Sequence, residues 1–149
     1  MTSDRRPSPD GGLAGGWTLF TALFGMLVVL QLVIGVWRVV DAKAAADGAA
    51  REAARAFVET DASLAAAALG RAESRGRHVL AEQGWAGGTV VGDATLVRCA
   101  VATFTATVPV PAIAVPFLDG LGAVTVRSTH VERVDPLRSG LTGEAGCVG

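Results

Sequence analysis

The chain has 149 residues, of which 50% are hydrophobic and only 18% charged, and its mean hydropathy of +0.43 is high for a soluble globule. Its formal net charge is −1, so no cationic excess is available to neutralise phosphates, and nucleic-acid binding is disfavoured. Two Cys and two His, with neither CxxC nor HxxxH spacing, give no basis for a metal site made by this chain alone. No cofactor is expected.

Residues 2–16 are rich in Pro, Gly, Ser and Asp without periodicity, and 1–16 reads as a disordered tail. Its glycines, Gly11, Gly12, Gly15 and Gly16, lack the flanking strand and helix that a phosphate loop requires. From Trp17 to Trp37 the chain then runs for 21 residues without a charge, and 12 of these are Leu, Ile, Val or Phe. As a helix that run is about 32 Å long, which matches a hydrocarbon core of about 30 Å. Each large apolar residue contributes roughly −0.3 to −0.6 kcal/mol at mid-membrane, so the single amide of Gln31 does not offset the sum. Trp17 and Trp37 stand at the two ends, where an indole favours the headgroup level, and Arg38 and Asp41 close the run. Thr21 and Gly25 form a small-xxx-small pair, and Gln31 is either a tolerated polar residue or an interhelical hydrogen-bonding one.

The amino flank carries Arg5 and Arg6 and the carboxyl flank Arg38, Lys43, Arg51 and Arg55, a balance that by itself favours a cytoplasmic carboxyl side. Long domains translocate largely regardless of charge, so the expected arrangement is a cytoplasmic tail, a single-pass helix over 17–37 and an extracytoplasmic domain over 38–138. A cleaved signal peptide is the rival, with Ala42 and Ala44 as an A-x-A pattern. Its apolar region, about 20 residues, exceeds the roughly 7 to 15 usual for such signals.

Residues 42–72 contain 15 Ala, so the membrane helix is predicted to continue to about Glu59. Val39, Ala42, Ala46, Ala49, Ala53 and Phe57 mark an apolar face, and Lys43, Asp47, Arg51, Arg55 and Glu59 a wet row with an Asp47–Arg51 pair. Thr60 or Asp61 is predicted to cap a second helix that carries Leu64, Ala65, Ala68, Leu69, Ala72, Val79 and Leu80 and ends near Gly84. Arg71, Arg75, Arg77 and His78 form the local basic cluster, read as a solvated helix face or as a contact for an anionic lipid or acidic partner.

Strand patterning begins at Thr89–Val91, followed by a predicted Gly92-Asp93 turn and a strand over Leu96–Val108. Phe104, Ala106, Val108 and Val110 alternate with Thr103, Thr105 and Thr107, the period of two of a half-buried sheet. Pro109, Pro111 and Pro116 are predicted to end that strand before an Asp119-Gly120 turn. A further strand covers Ala123–Val134, with Val124 and Val126 on one face, until Pro136. Residues 139–149 read as a flexible tail. The fold class is α+β: an N-terminal transmembrane helix continuing into a long Ala-rich helix, a second helix, and a small antiparallel sheet of three to four strands.

Catalytic chemistry finds little support. Ser128, His130, Glu132 and Asp135 include the residue types of a hydrolase triad, but alternate strand positions lie about 6.6 Å apart, too far for direct hydrogen bonds. No Gly-x-Ser-x-Gly elbow and no carboxylate pair stands out, so no enzymatic activity and no small-molecule substrate are expected. Cys99, placed within a strand, and Cys147 either form one bridge tying the tail to the sheet or remain two thiols with Cys99 buried.

The order of features, with AAREAARAFVE at 49–59, a VPFL segment before a Gly-rich turn, and HVERVDPLRSG at 130–140, resembles the TadE-like pilus assembly proteins of bacterial tight-adherence (Tad, or Flp) systems, over roughly residues 15–140. The resemblance implies a pilin-like fold and a minor pseudopilin, anchored in the inner membrane with its carboxyl domain outside. Its implied partners are other pilin-like or pilus assembly proteins. Counting from Gly16 as a cleavage glycine, the fifth place holds Thr21 where processed relatives carry Glu, so the residue for helix-end charge pairing is missing. The expected helix-packing positions are Thr21, Gly25 and Gln31 in the membrane and Ala42, Ala46, Ala49 and Ala53 beyond it. The alternative is a binding or sensor module of the cell envelope, in which the anchor only localises the head.

Overall fold

The computed structural model describes residues 11–111, 122–144, 146 and 147, with side chains from residue 16 onward. The chain divides into two units, Met1–Trp37 and Arg38–Gly149. Helix α1, Gly11–Val58, covers the apolar run and the Ala-rich segment in 48 residues. Residues 11–16, predicted as disordered, are thus helical, extending a helix already nucleated by the apolar run although four of the six are Gly, each about 1 kcal/mol less favourable there than Ala.

After α1, Asp61 caps a 3-10 helix over Ala62–Ala67, its side chain accepting from the Ser63 N–H at 2.8 Å. Hydrogen bonding from the Ser63 hydroxyl, and then from this N–H, holds the Asp61 carboxyl below its usual range. Helix α2 follows over Ala68–Glu82. The single second helix expected from Asp61 is therefore two elements, and Leu64 and Ala65, placed on its apolar face by sequence, are exposed. The buried face of α2 is Ala68, Ala72, Gly76 and Leu80, an i,i+4 row.

Three strands, β1 (Thr89–Asp93), β2 (Val101–Pro111) and β3 (Ala123–Arg133), form an antiparallel sheet in the order β1-β2-β3. Thr89 pairs with Thr107 and Asp93 with Thr103; Val101 pairs with Arg133 and Pro111 with Ala123. Gly92-Asp93, predicted as a turn, lies inside β1 because Gly92 sits opposite Phe104, and a Cβ there would come within 2.7 Å of Leu69 Cδ1. Its glycine admits the Phe104 ring and marks a close approach rather than a bend.

Strand β2 starts at Val101, not Leu96, and Cys99 precedes it in a left-handed conformation (φ 64°). At its other end β2 runs through Pro109 and Pro111, expected to stop it. Both lie beyond Thr107, the last residue paired with β1, so among the described residues no strand on that flank needs their N–H groups. The Asp119-Gly120 turn and Pro116 fall outside the described residues.

The core of the second unit lies between the helices and one face of the sheet. Ala102, Phe104, Ala106, Val108 and Val110 are buried, as the alternation predicts, while Thr103, Thr105 and Thr107 are partly exposed. Phe57 of α1 meets Phe104 with ring centroids 5.6 Å apart, a pair worth about 0.5–1.5 kcal/mol beyond its buried area. Gly76 lies so close to α1 that a Cβ would stand 3.0 Å from the Ala49 carbonyl oxygen and 3.1 Å from the Ala53 Cβ. Small residues on both helices permit that approach.

Candidate membrane anchor and helix-packing surface

Among the described residues one helix is long and apolar enough to cross a membrane, with a most apolar window of mean hydropathy 2.5, none of it buried. Trp17 and Trp37 are 72% and 73% exposed, and Leu19, Phe20, Leu23, Phe24, Leu27, Leu30, Leu32 and Val33 are exposed on every side. An uncovered apolar surface of this extent is tolerated in lipid and not in water. The Thr21 hydroxyl donates to the Trp17 carbonyl at 2.9 Å, which satisfies it within its own helix. Trp17 and Phe20 stack with centroids 6.0 Å apart. Gly25 leaves open space where a side chain would stand, and the Gln31 amide is exposed.

Beyond Trp37 the packing surface differs from the expectation. Ala42, Ala46, Ala49 and Ala53 have no exposed surface, and Ala45, Ala50 and Ala54 join them in the core. These alanines are covered by the chain's own α2 and sheet, so they are not open to a partner helix. Val39, predicted on the same face, is exposed, and a face buried on two sides is wider than a single stripe.

The wet row is likewise partly committed. Asp47 pairs with Arg51 at 3.0 Å as predicted, but its other carboxylate oxygen accepts from the buried Ser128 hydroxyl at 2.9 Å. The ammonium of Lys43 donates to the Arg127 carbonyl at 2.9 Å, on the outer flank of β3. Ser128 thus serves to hold α1 on the sheet, and His130 is not its hydrogen-bonding partner. In the basic cluster Arg75 pairs with Glu52 of α1 at 3.1 Å and His78 lies 3.4 Å from Glu82, while Arg71 and Arg77 are exposed. No group of three His, Cys, Asp or Glu side chains able to hold a metal ion occurs among the described residues.

Cys99 and Cys147 are joined in a disulfide across 48 residues. Of the two alternatives the bridge is the one formed; Cys99, expected within a strand, lies in the turn before β2 and is partly exposed. The tail, expected to be loose, is tied down further by the Arg98 N–H donating to the Thr142 carbonyl at 2.9 Å and by burial of Leu141. Arg138 donates to the Thr60 carbonyl at 2.7 Å and accepts at its own carbonyl from Arg98 Nε at 3.0 Å. A shallow depression of about 450 Å³, lined by Val58, Glu59, Glu132, Arg133, Asp135 and Arg138, mixes both signs of charge and is widely open.

Sequence reasoning missed the Ser128–Asp47 and Lys43–Arg127 bonds, which join residues 81 and 84 positions apart and leave no local signal. With this geometry in hand, comparison with known proteins adds no relative. No family model, no curated protein and no solved structure matches the chain.

Proposed function

We propose that this protein is a single-pass membrane component of pilus assembly, a minor pseudopilin-like subunit of a Tad (Flp) type IV pilus or a related secretion system, without enzymatic activity. The observation that carries this reading is the apolar helix exposed all round from Trp17 to Trp37 and continuous in sequence with the Ala-rich core helix of an α+β head. In lipid such a helix gains by close van der Waals packing at small residues, and Thr21 and Gly25 offer the approach. Because the distal alanines are occupied within the head, lateral contact is confined to residues 17–37.

The head is assigned to the extracytoplasmic side. The Cys99–Cys147 bridge supports this, because disulfides persist in oxidising compartments. With both native cysteines paired, Gly25→Cys and Gln31→Cys provide single thiols for crosslinking in native membranes. The expected result is a crosslinked species containing a pilin-like helix; monomer alone at both positions would overturn the assembly role.

A further inference from the structure

One end of the unit Arg38–Gly149 gathers cations that the fold itself does not need to neutralise. The chain leaves the apolar run at Trp37, and the next residue, Arg38, opens this unit. Within two turns of α1, Lys43 reaches the Arg127 carbonyl of β3, and Asp41 accepts from the Trp85 indole N–H at 3.2 Å. Trp85 stands beside Gly87, where a Cβ would lie 4.0 Å from Pro109, so the Pro111 and Ala123 ends of β2 and β3 belong to this same end. Among the described residues Arg38, Lys43 and Arg127 form no ion pair. The carboxylates nearby are engaged, Asp41 with Trp85 and Asp47 with Ser128 and Arg51.

We infer that this end, carrying Arg38, Lys43, Arg127 and Trp85, is a docking surface for anionic phospholipid headgroups of the leaflet into which α1 inserts. Connectivity supplies the first argument. If residues 17–37 span the bilayer, Arg38 stands at the headgroup level, and side chains within two helical turns of it lie within about 10 Å of that level. Charge supplies the second: three cations without an ion pair, beside two carboxylates that are both already engaged, Asp41 with Trp85 and Asp47 with Ser128 and Arg51, suit lipid phosphate rather than a basic or neutral partner. Trp85 adds an amphipathic indole of the type enriched at membrane interfaces. The consequence is a second contact with the leaflet, additional to the anchor itself.

This inference rests on the membrane-spanning reading of residues 17–37 and is independent of the pilus role. The test uses the full-length chain in nanodiscs of phosphatidylcholine alone or mixed with phosphatidylglycerol, with a quencher on the lipid headgroup. A fluorophore is placed at Thr125→Cys, near the lipid-facing end of β3, or at Val131→Cys, about 20 Å further along the strand. Quenching is expected to favour the Thr125 site, more strongly with phosphatidylglycerol present, and that added preference should fall about fivefold for each of Lys43→Gln and Arg127→Gln. It should also weaken at high salt. A preference independent of phosphatidylglycerol, or one surviving both substitutions in a chain with unchanged unfolding temperature, would overturn the inference while leaving the anchor intact. Failure of the chain to enter discs of either composition would overturn the anchor and this inference together.

Discussion

At Asp47 two hydrogen bonds of unlike worth share one carboxylate. Its pair with Arg51 joins side chains 48% and 66% exposed, and such an i,i+4 pair stabilises by only about 0.3–0.5 kcal/mol. Its bond from Ser128 satisfies a hydroxyl on a residue only 4% exposed, and leaving a buried polar group unpaired costs about 1–3 kcal/mol. Asp47→Ala is therefore expected to destabilise the head severalfold more than Arg51→Ala, as measured by denaturant unfolding of the detergent-solubilised protein. Equal effects would mean that water reaches Ser128. The Asp47–Arg51 pair was legible from spacing alone, whereas the Ser128 bond arises only when β3 is laid beside α1. The letters Ser, His and Glu on that strand were legible too, but their use as a clasp for a helix depends on an aspartate far away in the chain.

At the scale of elements, the two glycines of α2 look alike in sequence and differ in the fold. Gly70 is exposed, with nothing within 4 Å of the Cβ it lacks, so Gly70→Ala should stabilise by about 0.5–1 kcal/mol through helix propensity. Gly76 faces the Ala49 carbonyl at 3.0 Å, Ala53 at 3.1 Å and Val90 at 3.1 Å, so Gly76→Val must separate α2 from α1 and β1. Its expected cost is about 1–3 kcal/mol from overpacking, added to the poorer helix propensity of Val. Thermal melts of the two variants should move in opposite directions. The same lesson holds for the sheet. Alternation along β2 was readable because burial of one face imposes a period of two, yet the strand's ends were misplaced because the meaning of Gly92, Pro109 and Pro111 depends on which neighbours reach them. The apolar stripe on α1 was likewise read too narrowly, since its width is set by having both a helix and a sheet to cover it.

For the molecule as a whole, the Cys99–Cys147 bridge is the long-range covalent constraint, closing a 48-residue separation around β2, β3 and the tail. Reduction, or Cys147→Ser, is expected to lower stability by about 2–4 kcal/mol, seen as a shift of the denaturation midpoint under reductant. In intact cells the native thiols should resist maleimide until a reductant is added; ready labelling without one would place the head in a reducing compartment. The α+β class, the apolar run and the single-pass length were all present in composition and periodicity, while the pairing of the two cysteines stood as one of two readings until the turn before β2 was placed against the tail. The prolines of β2 carry a last implication. Past Thr89 no strand among the described residues pairs with that flank of β2, and an unpaired strand flank is the kind of edge on which copies of a sheet zip together. With Pro109 and Pro111 at alternate positions, an intruding strand meets missing donors there, so this stretch of the edge resists strand addition.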